Sequence, residues 1–117
     1  MLGVAAAIET VTGLAIILFP HVLIRLLFDA DVSGAGIVIG RVAGIALISL
    51  GVGCWMGRQE AGGVWALAAM LIYNALVTIY LTLVGFGTEF VGILLWPAAA
   101  LHAALTALLA YPLIETR

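Results

Sequence analysis

The stretch Gly63-Val-Trp-Ala-Leu-Ala-Ala-Met-Leu-Ile-Tyr-Asn-Ala-Leu-Val-Thr-Ile-Tyr-Leu-Thr-Leu-Val84 decides the fold class of this chain. It holds no Asp, Glu, Lys, Arg or Pro. It also exceeds the ~20 apolar residues that carry a helix across the ~30 Å hydrocarbon core of a bilayer. In lipid, a helix satisfies every backbone polar group within its own segment. On either side stand Gly57-Arg-Gln-Glu-Ala-Gly62 and Gly85-Phe-Gly-Thr-Glu89, whose glycines and charges mark turns.

The flanking chain repeats the pattern. Residues 35–56 and 91–111 form two further apolar runs, and residues 3–27 form a fourth, followed by Asp29-Ala-Asp-Val-Ser-Gly34. The expectation is an all-α integral membrane four-helix bundle. It is a single transmembrane domain over 1–117, with spans near 3–27, 35–56, 63–84 and 91–111 and short loops joining antiparallel neighbours. Pro20 removes a backbone donor and crowds the preceding turn, so the first span is expected to end or bend near residue 20, with residues 21–28 either continuing a kinked span or, as the favoured reading, lying along the interface. Beyond it, Val22, Leu23, Leu26 and Leu27 would face lipid while Arg25 reaches the headgroups. The first residues lack a basic region, carry Glu9 inside the apolar run and continue directly into further structure, which reads as a retained span rather than a cleaved signal.

Composition agrees. Of 117 residues, 66% are hydrophobic and 9% charged, against roughly 45–50% and about 25% in soluble domains. Net charge is −2, Lys is absent and the four Arg are scattered, which argues against nucleic acid and against a polybasic lipid-binding patch. Cys54 is alone, so neither an intrachain disulfide nor a cysteine metal motif is available. The boundaries also reproduce two aromatic belts: Trp55, Trp65 and Tyr111 on the side of the termini, and Phe28, Phe86, Phe90 and Trp96 on the other. Arg58 and Arg117 with the amino group, against Arg25, lead to the expectation by the positive-inside rule that both termini are cytoplasmic.

Membrane helices associate through small residues and interhelical hydrogen bonds. The second span offers Gly36, Gly40 and Gly44 at i+4 spacing, the fourth Ala99, Ala103 and Ala107, and the first Gly3, Ala6, Thr10 and Gly13. These faces are expected to build the bundle or, turned outward, to drive oligomerisation.

Each span carries one costly polar group: Glu9, Arg41, Asn74 beside Tyr73, and His102. At about 1.5 Å per residue, Glu9 and Arg41 lie roughly 9 Å in from opposite sides, and Asn74 and His102 about 16 Å deep. Such a ladder suits interhelical hydrogen bonding. It also suits a ligand or proton site with Glu9 and His102 titrating and Arg41 as fixed charge. Hydroxyl and small residues share these faces: Thr12 and Gly13 with Glu9, Thr78 and Thr82 with Asn74, Thr106 with His102. Asp29 and Asp31 are expected to cap the next helix. A haem between His21 and His102 would need both at one height, and they are not. No catalytic triad, HExxH, P-loop or paired intramembrane carboxylate occurs, so neither an enzyme nor a metal or cofactor site is expected.

The stretches Leu18-Phe-Pro-His-Val-Leu-Ile-Arg-Leu-Leu-Phe28, Ser33-Gly-Ala-Gly-Ile-Val-Ile-Gly-Arg-Val-Ala-Gly44, Cys54-Trp55, Leu71-Ile-Tyr-Asn-Ala75 and Leu95-Trp-Pro-Ala-Ala-Ala-Leu-His102 resemble an uncharacterised family of small four-span bacterial membrane proteins, loosely grouped as DoxX-like. The resemblance spans nearly the whole chain and implies fold and location, but no activity or site residues. Ala7-Ile-Glu9 is also similar to the first-span Glu of the small multidrug transporters, whose later aromatic and proline pattern this chain lacks. The functional expectation is a non-enzymatic membrane protein, a homo-oligomer or an accessory subunit of a larger membrane complex. The alternative is a small transporter or proton-linked channel using Glu9, Arg41 and His102.

Overall fold

The computed structural model describes residues 1–59 and 63–115, without the side chain of Glu115. Part of the 57–62 turn, and Arg117, therefore lie outside the described residues. Five helices follow in order: α1 (Leu2–Leu18), α2 (Pro20–Phe28), α3 (Ala35–Gly57), α4 (Gly63–Gly87) and α5 (Leu95–Glu115). No strand occurs among the described residues. Helices α3, α4 and α5 are each long and apolar enough to cross a membrane, and α1 with α2 makes a fourth if the bent pair counts as one span. Length explains the distinction. The 17 residues of α1 reach only about 26 Å, short of a ~30 Å hydrocarbon core.

Helices α1 and α2 meet at 112° across Phe19. Pro20 suits the first position of α2, where no amide donor is needed, but it cannot extend the hydrogen-bond ladder of α1. The Phe19 amide closes α1 by donating to the Ala15 carbonyl at 2.8 Å. Arg41 Nε of α3 then donates to the Ile17 carbonyl at 3.1 Å, bringing a cation to the negative end of α1. Helix α2 stops at Asp29, whose left-handed backbone (φ 50°) lets its amide reach the Arg25 carbonyl at 2.9 Å. Asp31 pairs with the exposed Arg25 guanidinium. The two aspartates thus finish α2 rather than cap α3, which starts at Gly34 with no side-chain cap.

Helix α1 packs antiparallel on α3, and α4 on α5, while the two pairs meet each other more sparsely. The α1–α3 seam is backbone on backbone. Gly13 and Gly44 face each other, Gly51 lies under Thr10 and Ala6, and Gly3 lies under the Trp55 ring. Arg58 stacks on the other part of that indole, 3.7 Å from its centroid, and donates to the Trp55 carbonyl. In the second pair, Gly85 leaves room for Trp96, whose ring meets Phe86 edge-on at 5.0 Å.

A further link ties α2 down. The amides of Gly92 and Leu94 donate to the carbonyls of Leu27 (2.9 Å) and Leu26 (2.8 Å). These acceptors sit in the last turn of α2, where helical donors have run out. The segment that leads into α5 therefore caps α2 with its own backbone.

Two apolar clusters fill the interior. One joins Ala5 and Ala6 with Cys54, Met70, Leu105 and Leu109 near the end that holds the N-terminus. The other joins Leu81, Leu95 and Ala99, with Phe28 and Val91 against them, near the opposite end.

Candidate functional site

Glu9, Asn74 and His102 lie between these clusters. Each stands about one helical turn beyond a residue of the first cluster on the same helix: Glu9 beyond Ala5 and Ala6, Asn74 beyond Met70, His102 beyond Leu105. The helical period that buries the apolar residue buries the polar one next to it. Glu9 is 1% exposed and Asn74 0%.

The geometry of this layer is specific. His102 Nδ1 sits 2.7 Å from the Ala98 carbonyl, so that nitrogen carries its hydrogen and Nε2 is turned elsewhere. Nε2 lies 3.6 Å from Glu9 Oε1. Tyr73 stands edge-on to the imidazole, with centroids 6.0 Å apart, and its hydroxyl is directed at the same carboxylate. Neither Glu9 oxygen completes a hydrogen bond, and Asn74 Oδ1 is likewise buried without a partner. Isolated charge in such surroundings is expensive.

The remaining polar groups are mostly satisfied within their own helices. Asn74 Nδ2 donates to the Met70 carbonyl, and the hydroxyls of Thr10, Thr78, Thr82, Thr88 and Thr106 each donate to the carbonyl four residues back. Asn74 Nδ2 and His102 Nδ1 thus bond to their own helices, while His102 Nε2 faces Glu9 of α1. Thr12 differs: among the described threonines its hydroxyl alone makes no hydrogen bond.

Of the four polar residues that stand out in the sequence, the structure brings Glu9 and His102 together, with Asn74 in the same layer. Arg41 stands apart, exposed, at the far end of α1 on the Ile17 carbonyl. The small-residue faces also divide. Gly44 is buried against Gly13, whereas Gly36 meets Val32, and a Cβ on Gly40 would stand 3.9 Å from Ile24 of α2. Ala99 is buried in the second cluster, while Ala103 and Ala107 face outward. His21 is exposed on α2, away from His102, and no cluster of three His, Cys, Asp or Glu side chains occurs among the described residues.

A cleft of about 380 Å³ opens beside the polar layer. Tyr73, His102 and Thr12 form its polar end, and Leu23 and Leu27 of α2 line its apolar end. Helical phase alone puts Thr12 on the Glu9 face, but the contribution of α2 depends on the 112° bend and on the Gly92 link. A glycine opening an apolar run is the only sign of that link in the sequence.

No protein-family model, curated protein or solved structure matches the chain.

Proposed function

We propose that the chain is a four-span integral membrane protein, with α1 and α2 as one bent span in an antiparallel four-helix bundle. We place it in a bacterial inner membrane with both termini in the cytoplasm. It works without catalysis of its own, as a homo-oligomer or an accessory subunit of a larger membrane complex.

The observation that carries this reading is the outer face of α5. Ala100, Ala103, Ala104 and Ala107 are exposed there, while Leu95, Leu105 and Leu109 of the same helix point inward. Membrane helices keep small residues where another helix must come close. Here α5 turns these alanines outward, with Leu101 and Leu108 exposed beside them.

The test is particle size in mild detergent for wild type and for Ala103→Leu with Ala107→Leu. Added bulk on an outward face leaves the monomer fold and its melting temperature unchanged, so the expected result is loss of the larger species alone. A wild-type protein that is monomeric and co-purifies with nothing overturns the reading.

The Glu9–His102 pair favours a second reading, a proton-linked transporter or channel, since a buried group able to hold one proton is what such a path requires. Arg41 has no part in it. Proton flux in proteoliposomes that collapses in Glu9→Gln, with particle size unchanged, selects this reading over the first.

A further inference from the structure

The cleft beside the polar layer has the volume of a small-molecule site, about 380 Å³, where such sites run from roughly 300 to 1,000 Å³. All five helices contribute to it. Its two ends differ in chemistry. The inner end presents Thr12, whose hydroxyl is unbonded, together with Tyr73 and His102. The outer end lies under Leu23 and Leu27 of α2, a helix held in place by the Gly92 and Leu94 amides.

From this arrangement we infer that the cleft binds a neutral, single-chain amphiphile with its hydroxyl- or carbonyl-bearing head inward, at Thr12, and its apolar chain outward beneath α2. Three observations carry the inference. First, Thr12 offers a donor and an acceptor that its own helix does not use, although five other threonines do use theirs. Second, the head is uncharged, because the charge-bearing groups at that end are Glu9 and His102, which face each other at 3.6 Å, and Arg41 is bound elsewhere. Third, the polarity runs opposite to that of a bilayer lipid, whose head stays at the interface, so the cleft is not simply an extension of the surrounding leaflet.

The inference rests on the membrane placement proposed above but not on self-association, so a monomeric protein leaves it standing.

Native mass spectrometry of the detergent-solubilised chain with decanol, decanoate and decyltrimethylammonium tests it, using wild type and Thr12→Val. The valine keeps the shape of threonine and removes the hydroxyl. Wild type is expected to retain decanol over both ions, and Thr12→Val to bind it about tenfold more weakly at an unchanged melting temperature. Retention of either ion in preference to decanol overturns the inference. So does equal retention of decanol by wild type and Thr12→Val, which is the result expected if the cleft holds only the chains of surrounding detergent or lipid.

Discussion

Gly13 of α1 and Gly44 of α3 touch backbone to backbone: a Cβ on Gly13 would stand 2.5 Å from the Gly44 carbonyl oxygen, and one on Gly44 2.6 Å from that of Gly13. The contact sets how closely the first helix pair approaches. Gly44→Ala is expected to force the helices apart and to lower stability by about 1–3 kcal/mol, the range for overpacking. Gly53 on the same helix has open space where a Cβ would sit, with no atom within 4 Å, so Gly53→Ala should be neutral or stabilising by up to about 1 kcal/mol. Thermal unfolding by circular dichroism in detergent compares the two. Equal effects would show that the seam is looser than this geometry requires.

Gly92 carries the link to α2. A Cβ there would collide with the Leu26 carbonyl oxygen and come within 2.7 Å of the carbonyl carbons of Leu26 and Leu27. Gly92→Ala should therefore release the end of α2 without unfolding the long helices. Hydrogen exchange should rise about tenfold over residues 20–28 while α4 stays protected. Unchanged protection of α2 would mean that its contacts with the cleft hold it unaided.

Glu9 and His102 should be energetically coupled. Glu9→Leu or His102→Leu alone leaves the other polar group buried without its counterpart, at a cost of about 1–3 kcal/mol. The double variant removes both and should be less destabilised than the two losses summed, with a coupling of at least about 0.5 kcal/mol. Additive losses from denaturation midpoints would show that the 3.6 Å approach carries no interaction.

Arg41 is expected to act on stability alone. Arg41→Met removes a cation from the C-terminal end of α1 and leaves the Ile17 carbonyl without its side-chain donor, a loss of about 0.3–2 kcal/mol. Ile17 lies two helical turns, about 12 Å, beyond Glu9. Ligand retention and any proton flux should therefore be unaffected, and a change in either would place Arg41 in the functional path.

The helices are legible in the sequence because each long apolar run permits little else, and Pro20 marks where the first turns. Glu9 and His102 are legible as costly groups, yet their meeting is not. Helical phase shows which face a residue occupies, but not which helix that face will meet, so Arg41 reads as their equal. The glycines show the same limit. Gly36, Gly40 and Gly44 form one ladder in sequence, but the α1–α3 seam uses Gly44 and Gly51, because the bend at Phe19 removes α1 from the upper part of α3 and leaves Gly40 beside Ile24 of α2. The outward position of Ala103 and Ala107 is equally unreadable, since an alanine stripe looks alike on either side of a helix.

The pairing of Glu9 with His102 also has a consequence for biosynthesis. Glu9 is in α1 and His102 in α5, with three helices between them in the order of synthesis. In the four-span reading, the α1–α3 seam can close as soon as α3 has been synthesised, since it needs only Gly13, Gly44 and Gly51. Glu9 then waits in the bilayer through the synthesis of α4 before His102 arrives. During that interval the acid is tolerable mainly in its protonated form. Arrival of α5 is therefore the step at which Glu9 first meets the imidazole.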